Sequence, residues 1–314
     1  MTHSSSASKV EQTTSHLVMV RPVAFGYNEE TAADNAFMKK DDRFDFEALQ
    51  TKAQAEFDEF VAKLRGVGIQ VTVFDDLQQP VTPDAVFPNN WISSHRSGKV
   101  IVYPMTASSR RLERRQDIID FFLAQHAEVE FIDLREYEQQ DLFLEGTGSM
   151  VMDRQHQIAY ASVSPRTSPA LFELFCEKLG CEGQLFHGTD RQGQPIYHTN
   201  VLMALGQQMA VICLESLKDD KERQRITNRL QETGHEIIEI TFDQMEAFAG
   251  NMLEVYNEQG EAWMIMSQRA YNSLEAAQLA QIEQYAQVLW IPLDIIELYG
   301  GGSVRCMMAE VFTA

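Results

Sequence analysis

Five helix-length segments recur along the chain, each followed by short apolar runs at matching places, and this repeat constrains the fold more than any other feature. The helical segments are Glu47–Arg65, Arg110–His126, Ser168–Leu179, Asp219–Thr233 and Ser273–Ala286. Ser168 and Pro169 give an N-cap and a first-turn proline, and Gly180 and Gly234 stand where helices end on glycine. A first set of strands follows the helices: Gln70–Phe74, Val129–Asp133, Gln184–Phe186, Glu236–Ile240 and Val288–Pro292. A second set comes after a turn: Trp91–Ser94, Ser149–Asp153, Val201–Leu205, Met252–Tyr256 and Met307–Phe312. Val100–Pro104, Ile158–Val163, Met209–Leu214 and Ala262–Ser267 form a third set, which His16–Arg21 at the N-terminus completes. The repeating unit is thus helix, strand, strand, strand. Strands outnumber helices about three to one, so small mixed sheets arranged radially fit better than one doubly wound sheet. The expected fold is α/β, a five-bladed propeller of five pseudo-symmetric helix/three-strand units.

Composition sets the outer limits. The chain has 314 residues, 44% of them hydrophobic, which is enough for a large core. The repeat turns a length that suggests two domains into one domain over residues 16–314. Residues 1–15 are rich in Ser and Thr without an apolar stretch, and read as a disordered leader, not a signal peptide. A net charge of −20 argues against nucleic acid and anionic membranes as partners. No apolar run approaches a membrane span. Cys176, Cys181, Cys213 and Cys306 fit neither a disulfide framework nor a zinc site, so reduced thiols and a cytoplasmic location are expected.

Polar residues fall in phase with the repeat. Asn90, Glu145, His198, Asn251 and Cys306 each precede a second-set strand, spaced 55, 53, 53 and 55 residues apart. In a radial array such positions converge on the axis. Alone, Cys306 beside Met307 and Met308 reads as a small buried hydrophobe, and His198 as a hydrogen-bonded core histidine. Together, a thiol, an imidazole and a carboxylate suffice for covalent thiol catalysis. The run Gly300-Gly301-Gly302 before Cys306 leaves room for a substrate, and Arg305 is a candidate for lowering the thiol pKa. Asn251 reads as a turn or strand-edge residue. Cys176, Cys181 and Cys213 read as structural, and His126, His156, His187 and His235 share no phase with the set.

Over residues 17–314 the chain resembles the guanidino-group modifying superfamily, the penteins. The matching motifs are Asp84-Ala85-Val86-Phe87-Pro88-Asn89-Asn90, Glu145-Gly146-Thr147-Gly148, Ser164-Pro165-Arg166-Thr167, His198-Thr199-Asn200 and Gly301-Gly302-Ser303-Val304-Arg305-Cys306. Arg21-Pro22, Phe25-Gly26-Tyr27-Asn28 and Thr31-Ala32 look like the arginine deiminase-related, citrulline-utilisation branch. The resemblance implies a five-bladed α/β propeller. It implies that Cys306 is the nucleophile, His198 the general acid and base, and Glu145 the carboxylate that holds the histidine and the substrate nitrogens. It also implies substrate contacts from Asp84, Asn89, Asn90, Asn200, Arg166 and Arg110, the two arginines gripping an α-carboxylate; Arg111 is the alternative to Arg110.

Two positions depart from the family pattern. Asn90 and Asn200 stand where relatives acting on a cationic guanidinium carry Asp. An amide offers a donor and an acceptor without charge, which suits a neutral ureido group. The expected activity is therefore cysteine-dependent hydrolysis of a guanidino or ureido C–N bond in an arginine-like amino acid, with citrulline going to ornithine, ammonia and carbon dioxide. Arginine deiminase, amidinotransferase and a non-catalytic ligand-binding pentein are the alternatives. No metal or organic cofactor is implied, and the partner is a small-molecule substrate, with a homo-oligomer left open.

Overall fold

The computed structural model describes residues 12–41 and 43–313, and within them parallel strand pairs are joined through helices and four of the antiparallel pairs through short turns. Strand β1 (His16–Arg21) pairs in parallel with β2 (Gln70–Asp75) through helix α1 (Phe46–Gly66). The next sheet has the hairpin β3 (Ile92–Ser94) and β4 (Lys99–Val102), then helix α2 (Gln116–Leu123) and parallel strand β5 (Glu130–Asp133). The same order gives β6 (Met150–Asp153), β7 (Ile158–Ser162), helix α3 (Pro169–Leu179) and β8 (Glu182–Phe186). It gives β9 (Met203–Leu205), β10 (Met209–Ile212), helix α4 (Asp220–Glu232) and β11 (Glu236–Glu239). It then gives β12 (Leu253–Tyr256), β13 (Ala262–Ser267), helix α5 (Ala276–Ile282) and β14 (Gln287–Ile291). Finally β15 (Ala309–Glu310) returns antiparallel to β1, with Leu17 opposite Glu310, and closes the first sheet.

Five three-stranded sheets result, the number of units the repeat leads to. The boundaries of the units differ from the sequence reading. Each sheet is strand, strand, helix, strand, so a helix-led unit spans two sheets. The cause is the linker: antiparallel neighbours need only a turn, whereas parallel neighbours need a crossover long enough to hold a helix. Middle strands β7 and β10 are buried on both faces, because they face a helix on one side and the next sheet on the other.

Local differences have physical causes. The segment read as one helix over Arg110–His126 breaks into a 3₁₀ turn, Ser109–Glu113, and α2. Arg110 and Glu113 are drawn inward, whereas α2 must bury Ile118, Ile119 and Phe122 on its own axis. The segment Ser273–Ala286 is helical only over α5, started by a Glu275–Gln278 capping box, and a separate short helix, Gln268–Ser273, precedes it. Gly180 and Gly234 follow α3 and α4 with φ of 76° and 82°. Of the expected leader, residues 1–11 lie outside the described residues, and the rest is packed: Gln12, Thr13 and Thr14 are buried. Gln12 Nε2 donates to Met152 O at 2.6 Å and Thr14 Oγ1 to Val311 O at 2.5 Å, so polar side chains here tie the chain to strand ends.

The inner strand of every sheet is preceded by a tight turn, and these turns form a ring. Thr147 Oγ1 donates to Asn89 O (3.3 Å), Thr199 Oγ1 to Ser149 O (2.6 Å), and Asn251 Nδ2 to Asn200 O (2.8 Å). Arg305 N then donates to Asn251 Oδ1 (3.1 Å). Adjacent turns approach so closely that a Cβ at Gly146, where φ is +49°, would overlap Asn89 O and lie 2.9 Å from Asn90 O.

Candidate active site

The ring delivers the phased residues to one place. Asn90 closes the 3₁₀ turn Pro88–Asn90; Glu145 and His198 are the N-caps of single helical turns, Gly146–Ser149 and Thr199–Leu202; Cys306 sits in the turn before β15. These single turns replace the first residues of strands read from the sequence at Ser149 and Val201, and they aim the cap side chains inward. All four residues are at most 3% exposed.

Glu145 and His198 form a dyad. His198 Nε2 lies 2.9 Å from Glu145 Oε2, and Thr106 N donates to Oε1 at 2.9 Å. Burial alone would push the Glu145 carboxyl up, but Arg166, the His198 hydrogen bond and Arg110 outweigh it and hold the carboxyl well below its usual range. An ionised carboxylate only accepts, so Nε2 carries the proton and Nδ1 keeps its lone pair. Burial lowers the His198 pKa, with Glu145 opposing, so the ring is neutral at neutral pH. Gly148 makes room for this arrangement: a methyl there would overlap the Asn90 amide and lie 2.7 Å from the imidazole.

The thiol faces amides. Asn251 Nδ2 is 3.3 Å and Asn200 Nδ2 3.6 Å from Cys306 Sγ. Arg305, a candidate for activating the thiol, does not face it. Its guanidinium donates to Met308 O (2.9 Å) and Glu310 Oε2 (2.8 Å).

Asp84, Asn90, Arg110, Arg166, Tyr197, His198 and Gly300–Gly302 line a narrow cavity of about 20 Å³, little more than one water molecule. Asn28 Nδ2 (2.8 Å) and Thr31 Oγ1 (3.0 Å) donate to Asp84 Oδ2, while Asp84 Oδ1 is buried without a partner. Burial raises the Asp84 pKa, with Arg110 pulling it down. Arg110 donates to Asn90 Oδ1 (2.7 Å), Phe87 O (3.1 Å) and both oxygens of Glu113 (2.9 and 3.0 Å). It therefore fixes Asn90 with its Nδ2 turned away, and that Nδ2 has no partner. Asn89 turns to the next unit instead, its Nδ2 3.2 Å from Thr147 Oγ1. Arg111 points to Met105 O and Thr106 O.

Arg166 is engaged by a segment that sequence reasoning did not assign to the site. Its guanidinium binds the Asp34 carboxylate, donates to Thr31 O (2.8 Å) and lies 3.7 Å from Glu145. Asp34, Asn35 and Tyr197 also line a larger cleft of about 650 Å³. Asn28 and Thr31 belong to motifs already visible in the sequence; Asp34 carried no such signal. Asn251 did carry one, its phase in the repeat.

Among the described residues no group of three or more His, Cys, Asp or Glu is placed to hold a metal, and no helix is long and apolar enough to cross a membrane. A sequence profile described as N,N dimethylarginine dimethylhydrolase, eukaryotic, matches residues 21–313. No curated protein sequence gives a significant match. Among solved structures, the chain is similar to the N-terminal domain of ArgZ, a substrate-bound cysteine-to-serine variant of an arginine dihydrolase from the ornithine-ammonia cycle in Cyanobacteria. That match has 16% identity and a TM-score of 0.73, covering 95% of this chain and 98% of that one. It covers only 39% of AgrE, solved with ornithine and NAD+, at 17% identity and a TM-score of 0.73. A dimethylarginine dimethylaminohydrolase bearing an S-methyl-L-thiocitrulline adduct matches with 17% identity and a TM-score of 0.63, over 94% of this chain and 98% of that one. The chain belongs to the N,N dimethylarginine dimethylhydrolase family of the pentein superfamily.

Proposed function

We propose that the protein hydrolyses the guanidino C–N bond of an arginine-like amino acid through a Cys306 adduct. The observation that carries this reading is Asp84 Oδ1, a fully buried acceptor without a partner in the cavity that His198 lines. A guanidinium presents only N–H donors, and a buried unpaired carboxylate oxygen is costly until one arrives. Cys306 thiolate attacks the central carbon, and His198 Nδ1, after taking up a proton from solvent, hands it to the departing amine. Water, deprotonated by His198 Nδ1, then attacks the adduct, releasing a ureido amino acid and the thiol. Arg166 receives the substrate carboxylate in exchange for Asp34, and the 28–39 segment moves to admit it, because the cavity holds no amino acid as it stands.

A second reading, citrulline going to ornithine, ammonia and carbon dioxide, is favoured by Asn90. Its unpartnered Nδ2, with the amide locked by Arg110, offers a donor to a ureido carbonyl. The two readings combine if the ureido product of the first reaction is the substrate of the second. The names of the structural neighbours, an arginine dihydrolase among them, are compatible with either step. The test is a parallel assay of arginine, N-methylated arginines, agmatine and citrulline, following ammonia, methylamines, citrulline and ornithine. Guanidino substrates are expected to turn over. Release of ornithine from citrulline with no product from any guanidino compound would overturn the first reading and leave the second.

A further inference from the structure

Among the described residues, no cationic side chain is hydrogen-bonded to Cys306 Sγ. Arg305 is committed to Met308 O and Glu310, and the His198 Nε2–H is committed to Glu145. Among the described residues, the hydrogen-bond partners of Sγ are two neutral side chains, Asn251 at 3.3 Å and Asn200 at 3.6 Å. The two are not equivalent. Asn251 is fully buried and its amide cannot turn over: Oδ1 accepts from Arg305 N (3.1 Å), and Nδ2 donates to Asn200 O (2.8 Å). A flip would set carbonyl against carbonyl and N–H against N–H. One Nδ2–H goes to Asn200 O, and the other is left for the sulfur. Asn200 has no second partner holding its amide and stays free to serve a substrate.

We propose that Asn251 is the residue that holds Cys306 as a thiolate, its locked amide donating a hydrogen bond that the anionic sulfur accepts far better than the neutral thiol does. The proton lost on ionisation goes to solvent. The inference rests on the reading of Cys306 as the nucleophile. It also explains why the fifth in-phase position, Asn251, is a polar residue.

The experiment follows alkylation of Cys306 by iodoacetamide against pH in the full chain, read by mass spectrometry on the Cys306 peptide because three other cysteines are present. In N251A the midpoint is expected to rise by about one unit or more, roughly tenfold less thiolate near neutral pH. In N251D it rises further, because a carboxylate then faces the sulfur. The alkaline shift appears again in the pH profile of kcat/KM, which a merely structural role would not produce. An unchanged midpoint in folded N251A overturns the proposal; if N251A does not fold, the same result in the nearly isosteric N251D overturns it. Alkylation needs no turnover, so the two readings separate. A C306S variant with full hydrolytic activity sinks the thiol mechanism even where the midpoint moves.

Discussion

Glu145 and Glu254 are both buried carboxylates, and their neighbours send them opposite ways. Glu145 has Arg166, His198 and Arg110 around it and stays ionised. Glu254, on β12, is desolvated, Gln207 N donates to it at 3.1 Å, and its pKa is raised to about 7. Between pH 4.5 and 7 the folded state therefore binds a proton at Glu254 that the unfolded chain does not, so this group's contribution to stability falls as pH rises through 7. For Glu254→Gln, the change in unfolding free energy relative to the unmutated protein is expected to be near zero at pH 4.5 and stabilising at pH 8, by at most ~3.4 kcal/mol. A difference flat across pH would show that the carboxyl does not titrate there. Glu145 has the opposite sign, its contribution being lost as pH falls below 4.5. His198 shares that sign: its lowered pKa makes protonation of the unfolded chain favourable below about 6.5. That Cys306, His198 and Glu145 come to the ring of turns was legible because all three share a phase. The Asp34 contact was not, since its partner Arg166 comes from a distant unit, whereas Arg305 turns to Met308 and Glu310 within its own segment.

Single turns of helix decide what the phased residues can do. The turn Gly146–Ser149 packs between the turns carrying Asn90 and His198, and its third residue has no space for a side chain. Gly148→Ala is expected to lower kcat/KM by about 100-fold or more, the scale of a misplaced catalytic group. Circular dichroism and cooperative unfolding should be retained, because the inserted methyl displaces site side chains and not a strand. Activity within threefold of the unmutated protein would mean that Asn90 and His198 can shift freely. At this scale the strands were the most legible part, since β-branched runs between turn signals leave little choice. The single helical turns were not: four residues are too few to show a period, and the ring contacts, not propensity, hold them helical. The split of Arg110–His126 was hidden for a related reason, as Arg110 satisfies the helical pattern but is drawn into the cavity.

At the scale of the molecule, the fivefold repeat was legible from spacing alone, and with it the convergence on an axis. The phase of the sheets was not, because a repeat can be cut anywhere and only strand pairing says where. Acidic residues such as Glu47, Asp58, Asp219 and Asp220 are exposed on the outer helices, consistent with a charge of −20 that belongs to the surface more than to the cavity. The closing sheet ties the ring together. Val18 on β1 is fully buried and pairs with both Ala309 and Thr72. Val18→Asp puts an unpaired charge there, at a cost of several kcal/mol against a total stability of about 5–15 kcal/mol. Expected outcomes are loss of the cooperative unfolding transition and loss of activity, measured by urea titration and the ammonia assay. An active, cooperative variant would show that the ring does not depend on this sheet.

That closing sheet also sets the order of events at the ribosome. Strand β1 is made early but its antiparallel neighbour, β15, is among the last described residues, just after Cys306. At about 5–20 residues per second, β1 waits roughly 15–60 s for that neighbour. Four sheets can assemble behind the tunnel while the fifth stands incomplete. Cys306 therefore emerges within a few residues of the strand that closes the first sheet, after the turns carrying Glu145, His198, Asn200 and Asn251 have been made.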